Sequence, residues 1–352
     1  MNATAGTGHA GFPARTGDRT ARAAIATWLQ ACAGVAAAVL VVGGITRLTH
    51  SGLSIVQWHP LSGAVPPLSD GDWTALFDQY RASPEGRLVN STMSLEAFKP
   101  IFWWEYAHRM LARTAGLVFV LPLLWFIASG RMHRPLALRL SFIFALGALQ
   151  GALGWYMVSS GLVDDPRVSP LRLAAHLAMA LVLIGLLLWT SWKVRGDTVG
   201  RRPVPAIARL AVAAVFFMAL TGALVAGTHA GLASNTFPLM NGALVPEGLM
   251  VLSPWYDNFL YNLVAVQFLH RAMALVVVAA ILALWWQLRT LPANCAPRRL
   301  LLAALALQLG LGIVTLMTSV ALVPAAAHQA SAVLLYTGTL WSAFRISIAN
   351  AH

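Results

Sequence analysis

The chain has 352 residues, 58% of them hydrophobic and only 10% charged, with a formal net charge of +12. A soluble domain carries about 25% charged residues, so this composition excludes an ordinary water-soluble fold and points to a membrane protein. The positive charge does not read as a nucleic-acid footprint, because its placement follows the membrane.

Residues 1–26 carry arginines and one acid, a mild likeness to a mitochondrial targeting segment, and are expected to form a disordered cytoplasmic tail. Apolar runs of spanning length, roughly 17–25 residues each, follow at 27–46, 109–129, 140–160, 173–192, 210–228, 268–288, 300–320 and 328–347. The first external loop, 48–104, is much the longest and holds tryptophans, prolines and acids. A loop of that length without strands is usually functional or covers a site. Its end, "LEAFKPIFWW" (95–104), has the pattern of an amphipathic stretch on the membrane interface. The expected fold is therefore all-α and polytopic, with eight transmembrane helices. It divides into a four-helix bundle over 27–195, a cytoplasmic linker over 196–209, a second four-helix bundle over 210–347 and a tail over 348–352.

Charge sets the orientation. With the N-terminus cytoplasmic, that side holds Arg15, Arg19, Arg22, Arg131, Arg134, Arg139, Lys193, Arg195, Arg201, Arg202, Arg209, Arg289, Arg298, Arg299 and Arg345, which is 15 of 24 basic residues. The opposite face holds every acid except Asp18 and Asp197. The positive-inside rule then places both termini in the cytoplasm. Cys32 in the first helix and Cys295 in a cytoplasmic loop fall at different depths, so a disulfide between them is not expected.

The halves echo each other. "LTHSGLS" (48–54) answers "GTHAGLA" (227–233), "EYAHR" (105–109) answers "QFLHR" (267–271), "QGALGWYMVSSGLV" (150–163) answers "QLGLGIVTLMTSVALV" (308–323), and His176 answers His328. Each copy has an even number of helices, so the repeats are parallel and related by an axis along the membrane normal.

His108, His176, His270 and His328 sit near the starts of even-numbered helices and so share one depth near the outer face. Two histidines approaching across a four-helix bundle suit a cofactor metal. With no cysteine or carboxylate cluster beside them, haem fits better than structural zinc. "FALGALQGALG" (144–154) and "LALQLGLG" (305–312) either pack helices closely or leave room for a flat macrocycle. Met179 and Met273 are core filler rather than axial ligands. Arg109 and Arg271 suit either haem propionates or the headgroup region. His50, His59 and His229 read as surface residues. The repeat breaks at Glu105, which becomes Gln267. Three residues before a histidine, both share its helix face, but only Glu105 ionises. The first bundle is thus expected to be reactive and the second static.

These residues resemble the haem A synthase family, membrane enzymes that oxidise a methyl group of haem O to the formyl of haem A. The likeness runs from "GGITRLTHSGLSIVQWHPLSGAVPP" (43–67) through "FKPIFWWEYAHR" (98–109) and "NTFPLMNG" (235–242) to "AAAHQA" (325–330), in the style of the alphaproteobacterial and mitochondrial branch. It implies a catalytic Glu105, a substrate-haem pair His108 and His176, and a haem b cofactor on His270 and His328. It also implies a bacterial inner membrane, or a mitochondrial one, with the haem sites towards the periplasmic side. Implied partners are haem O and haem A, lipid, haem O synthase, oxidase assembly factors and an unidentified electron partner, with no nucleic acid. Another branch carries paired cysteines in its external loops; this sequence has none there. Successive hydroxylation and carbocation capture by water both remain open. The rival reading is a non-catalytic dihaem protein carrying electrons from quinol.

Overall fold

The computed structural model describes residues 16–60, 62–196, 203–289 and 297–349. Arg15, Asp197, Arg201, Arg202 and Cys295, used above, lie outside the described residues. Eight long helices organise the described residues: α1 (Thr16–Leu48), α4 (Leu95–Ala128), α5 (Arg134–Val158), α6 (Pro170–Arg195), α7 (Ala206–Thr228), α9 (Leu263–Leu288), α10 (Pro297–Met317) and α11 (Leu322–Ala349). Shorter helices α2 (Asp70–Ala82), α3 (Pro84–Leu88) and α8 (Asn258–Tyr261) lie in the connections, and no strand occurs among the described residues.

Seven of the long helices are apolar enough over 18 residues to cross a membrane, which makes this a multi-pass membrane protein. The exception among the eight expected spans is α11. His328, Gln329, Ser331, Thr337, Thr339 and Ser342 dilute its apolar character. It tolerates them because it packs against α1, α6, α7, α9 and α10, so its polar groups meet protein. Ser331 Oγ donates to Gln308 of α10, and Gln329 Nε2 donates 2.9 Å to the Leu40 carbonyl of α1. In α1, α4, α5 and α6 each helix touches the next and the last returns to the first; α7, α9, α10 and α11 do the same. The two sets meet through α6 with α7 and α1 with α11.

Two boundaries differ from expectation. The first helix begins at Thr16, so residues 16–26 are helical rather than tail. Helix α4 begins at Leu95, capped by Ser94, well before the apolar run at 109. Residues 95–104 therefore do not form a separate interfacial stretch. Phe98 and Phe102 face Phe77 and Tyr80 of α2 in a small aromatic core. Each such buried ring contributes roughly 1.5–3 kcal/mol, enough to extend the helix outward. Within the span, Pro122 has no N–H for the carbonyl four residues back. That carbonyl, on Val118, instead accepts from Trp28 Nε1 of α1 at 2.8 Å.

Candidate functional site

The four histidines fall on α4, α6, α9 and α11, and each leans on a glycine of the neighbouring helix. A methyl group added at Gly43 would sit 2.7 Å from His108 Cε1, and one at Gly154 would sit 2.9 Å from His176 Cε1. The same test gives 3.3 Å between Gly222 and His270, and 2.9 Å between Gly312 and His328. At Gly43, Gly154 and Gly312 only hydrogen leaves room for the ring as it stands, and at Gly222 the approach is close but less exacting. His108 and His176 are within electrostatic reach of one another, as are His270 and His328, so the structure brings each expected pair together. All four rings are half-buried.

The pairs differ in how their rings are held. His270 Nδ1 lies 2.8 Å from Thr221 Oγ1, and His328 Nδ1 donates 3.2 Å to the Gln308 carbonyl. A metal-binding imidazole is ordinarily oriented through its other nitrogen in this way, which leaves Nε2 for the metal. The Nδ1 atoms of His108 and His176 are buried without a hydrogen-bond partner, although the Val39 and Gln150 backbones lie alongside. Gly147, Gly151 and Gly310 have open space where a side chain would go, so the small-residue stretches leave room there rather than closing helix against helix.

Glu105 is 3% exposed and fully engaged. Its Oε2 accepts from Ser54 Oγ and from the Ile55 N–H, both at 2.7 Å. Its Oε1 accepts from Arg109 Nε at 3.0 Å and Nη2 at 2.5 Å. Arg109 also donates to the Ile55 and Gln57 carbonyls, Arg113 to those of His59 and Pro60, and Tyr106 to that of Ala64. These donors pin the loop after α1 onto α4. A cleft of about 410 Å³ opens there, lined by Gln57, His59, Tyr106, Arg109 and Arg113 among others.

The second half repeats this frame without its charge. Arg271 donates to the Thr236 and Ser234 carbonyls, while Gln267 Nε2 donates 3.0 Å to Ser234. Gln267 Oε1 and Arg271 Nε, which correspond to the atoms of the Glu105–Arg109 pair, are buried and unpartnered. His50 and His229, expected in a surface role, stack at 6.2 Å between ring centres. Both adopt left-handed backbone, with φ of 53° and 61°. His59 is exposed and bonds Gln57.

One buried acid escaped the sequence reading. Glu85, on α3, is 8% exposed and lies close enough to Glu105 to feel its charge. Its only sequence signal is "SPEG" (83–86): a capping serine, a proline suited to a first turn, and a glycine.

A helical membrane protein with two pairs of inward-held histidines and a buried carboxylate paired with arginine beside one of them belongs among haem-handling membrane proteins by its chemistry. Residues 26–340 match the cytochrome oxidase assembly protein (COX15-CtaA) family, and the chain belongs to it. Its relatives include the "Heme A synthase" of Nitrosospira multiformis, 49% identical over 90% of this chain and 92% of that one. The proteins of the same name from Nitrosomonas eutropha and Parvibaculum lavamentivorans are 46% and 42% identical, each over 92% of this chain and 94% of their own.

Proposed function

We propose that this chain is a haem A synthase, with haem O as substrate and haem A as product, working in oxidase assembly at the bacterial inner membrane. The carrying observation is the break in symmetry between Glu105 and Gln267, set in otherwise matching frames. The fold is read as a duplicated pair of four-helix bundles with cytoplasmic termini and both histidine pairs towards the outer face. The first bundle takes the substrate between His108 and His176. Their Nδ1 atoms, beside the Val39 and Gln150 backbones but outside hydrogen-bond geometry, are held more loosely, which suits a ligand that must arrive and leave. The second holds haem b on His270 and His328, whose Nδ1 contacts fix ring orientation beforehand. Bound there, haem b supplies one-electron redox chemistry.

Methyl oxidation consumes one water and releases four protons and four electrons per formyl group, so a proton acceptor must stand beside the reacting carbon. Glu105 fills that role: an ionised carboxylate accepts a proton or stabilises developing positive charge. Ser54, Ile55 and Arg109 hold both its oxygens in place. Arg109 is read here as an anchor for Glu105 and the outer loop, and Arg271, with its free Nε, as the better propionate contact.

The test is to purify the protein in mild detergent and identify its extracted haems by chromatography and mass. Haem b with haem O, haem A or a hydroxylated intermediate supports the enzyme. Haem b alone at two per chain overturns the substrate site and favours a dihaem electron carrier. The Glu105→Gln variant is expected to retain haem while haem A formation falls at least 100-fold, in line with the usual worth of a positioned proton-transfer group, about 10²–10⁴. An electron carrier would be indifferent to that change.

A further inference from the structure

The outer layer contains a second carboxyl that the proposed reaction has not used. Gly86 explains its burial. A methyl group at that position would lie 2.2 Å from the Tyr80 carbonyl, so only glycine lets α3 press against α2. Ser83 caps the short helix through the Gly86 N–H at 3.2 Å. The turn carries Glu85 inward, where Oε2 is buried with no hydrogen-bond partner. The Tyr80 hydroxyl of α2 bonds its carboxyl and accepts from Asn90 Nδ2 at 2.6 Å. From α4 it is within electrostatic reach of Glu105, which is itself paired with Arg109. The cations next to it in sequence, Arg81 and Arg87, are exposed. Among the described residues no ion pair compensates Glu85, whereas Glu105 has Arg109.

We infer that Glu85 is a proton store for the Glu105 site: it holds a proton while Glu105 is a carboxylate and releases it outward when Glu105 takes one up. The inference rests on the enzyme reading and names the next group in its proton path. Two acids in mutual reach share their proton affinity, and a charge on either makes the other harder to ionise. Both oxygens of Glu105 accept from Arg109, Ser54 and Ile55, whereas Glu85 Oε2 has no partner, so the spare proton is assigned to Glu85. Burial and the Glu105 charge push the Glu85 carboxyl up to about 7. In the step itself an O–H bond forms on Glu105 with a proton from the substrate, and an O–H bond breaks on Glu85; no electrons move. A cavity of about 80 Å³ between Ser54, the partner of Glu105, and Gln79 of α2 is large enough for water. Its lining residues Gln57 and His59 are shared with the larger outer cleft, so water-sized space lies beside Ser54 and Ile55, the two groups that hold Glu105 Oε2.

The decisive measurement is infrared titration of the full chain in detergent, following the stretch of a protonated buried carboxyl. A band that titrates near pH 7 and vanishes in Glu85→Gln supports the store. In Glu105→Gln its midpoint must fall towards the ordinary value of 4.5. In Tyr80→Phe, which keeps Glu85 but removes its donor, the midpoint must rise. No such band in the wild type, or a midpoint unmoved in Glu105→Gln, overturns it. Haem A formation adds a second readout. The wild-type rate should fall as pH rises through 7 and empties the store, and Glu85→Gln should flatten that profile with haem content unchanged. A variant profile that matches wild type overturns the role in turnover. Absence of haem A from wild type would instead count against the enzyme reading, while the infrared coupling would still decide the pair.

Discussion

Four glycines determine where four imidazoles can lie, and this makes the two histidine pairs separately testable. At Gly312 or Gly154 an alanine methyl would stand 2.9 Å from a ring carbon, well inside the roughly 3.5–4.0 Å at which carbon atoms rest. The ring must swing away from the position its neighbours hold. Under the proposed assignment, Gly312→Ala should deplete haem b by half or more. Gly154→Ala should release haem O while leaving haem b in place. Haem stoichiometry per chain, measured on both variants side by side, checks this; loss of the same haem from both would mean the two sites are not independent. The histidines themselves were readable because each recurs at matched places in two copies of one pattern. The glycines were visible only as small residues. Whether a glycine admits a ring, as Gly154 does, or borders open space, as Gly151 does, depends on the neighbouring helix.

At the scale of elements, what the chain declares is hydrophobic length, and what it conceals is how far a helix continues once the membrane ends. Helix α4 runs on outward because Phe98 and Phe102 find Phe77 and Tyr80. Those four residues are distributed over two segments and show no apolar run. Helix α11 gives the opposite case, a long helix whose polar residues are matched by partners on α1 and α10. Glu85 stayed hidden for the same reason, since its burial comes from a backbone approach at Gly86. Gly86→Ala should therefore undock α3 from α2, because a contact of 2.2 Å to backbone cannot be relieved by a side-chain rotation. The expected result is faster limited proteolysis between residues 82 and 94, by about 10-fold or more, a loss of roughly 1.4 kcal/mol in local protection. Cleavage in the long helices should not change, and unaltered cleavage throughout would show that α3 docks by other contacts.

Across the whole molecule, function depends on which side of the membrane the Glu105 layer occupies. The polar groups that surround it, from the pinned loop to α2 and α3, lie at one end of the helices. The opposite end carries Lys193 and Arg195 in the last turn of α6, with Arg131, Arg134 and Arg298 at or near other helix ends. A bilayer with anionic lipid on its cytoplasmic face retains the basic end there. Protons released at Glu105 would then leave on the outer side without crossing the membrane. Single cysteines placed in a chain whose Cys32 and Cys295 are serine test the orientation directly. Ser91→Cys lies in the exposed outer connection and should react with a membrane-impermeant thiol reagent in intact cells. Arg299→Cys, exposed at the start of α10, should react only after the membrane is opened. The reverse pattern would put the carboxyl pair on the cytoplasmic face, and proton release by Glu85 would then feed the cytoplasm.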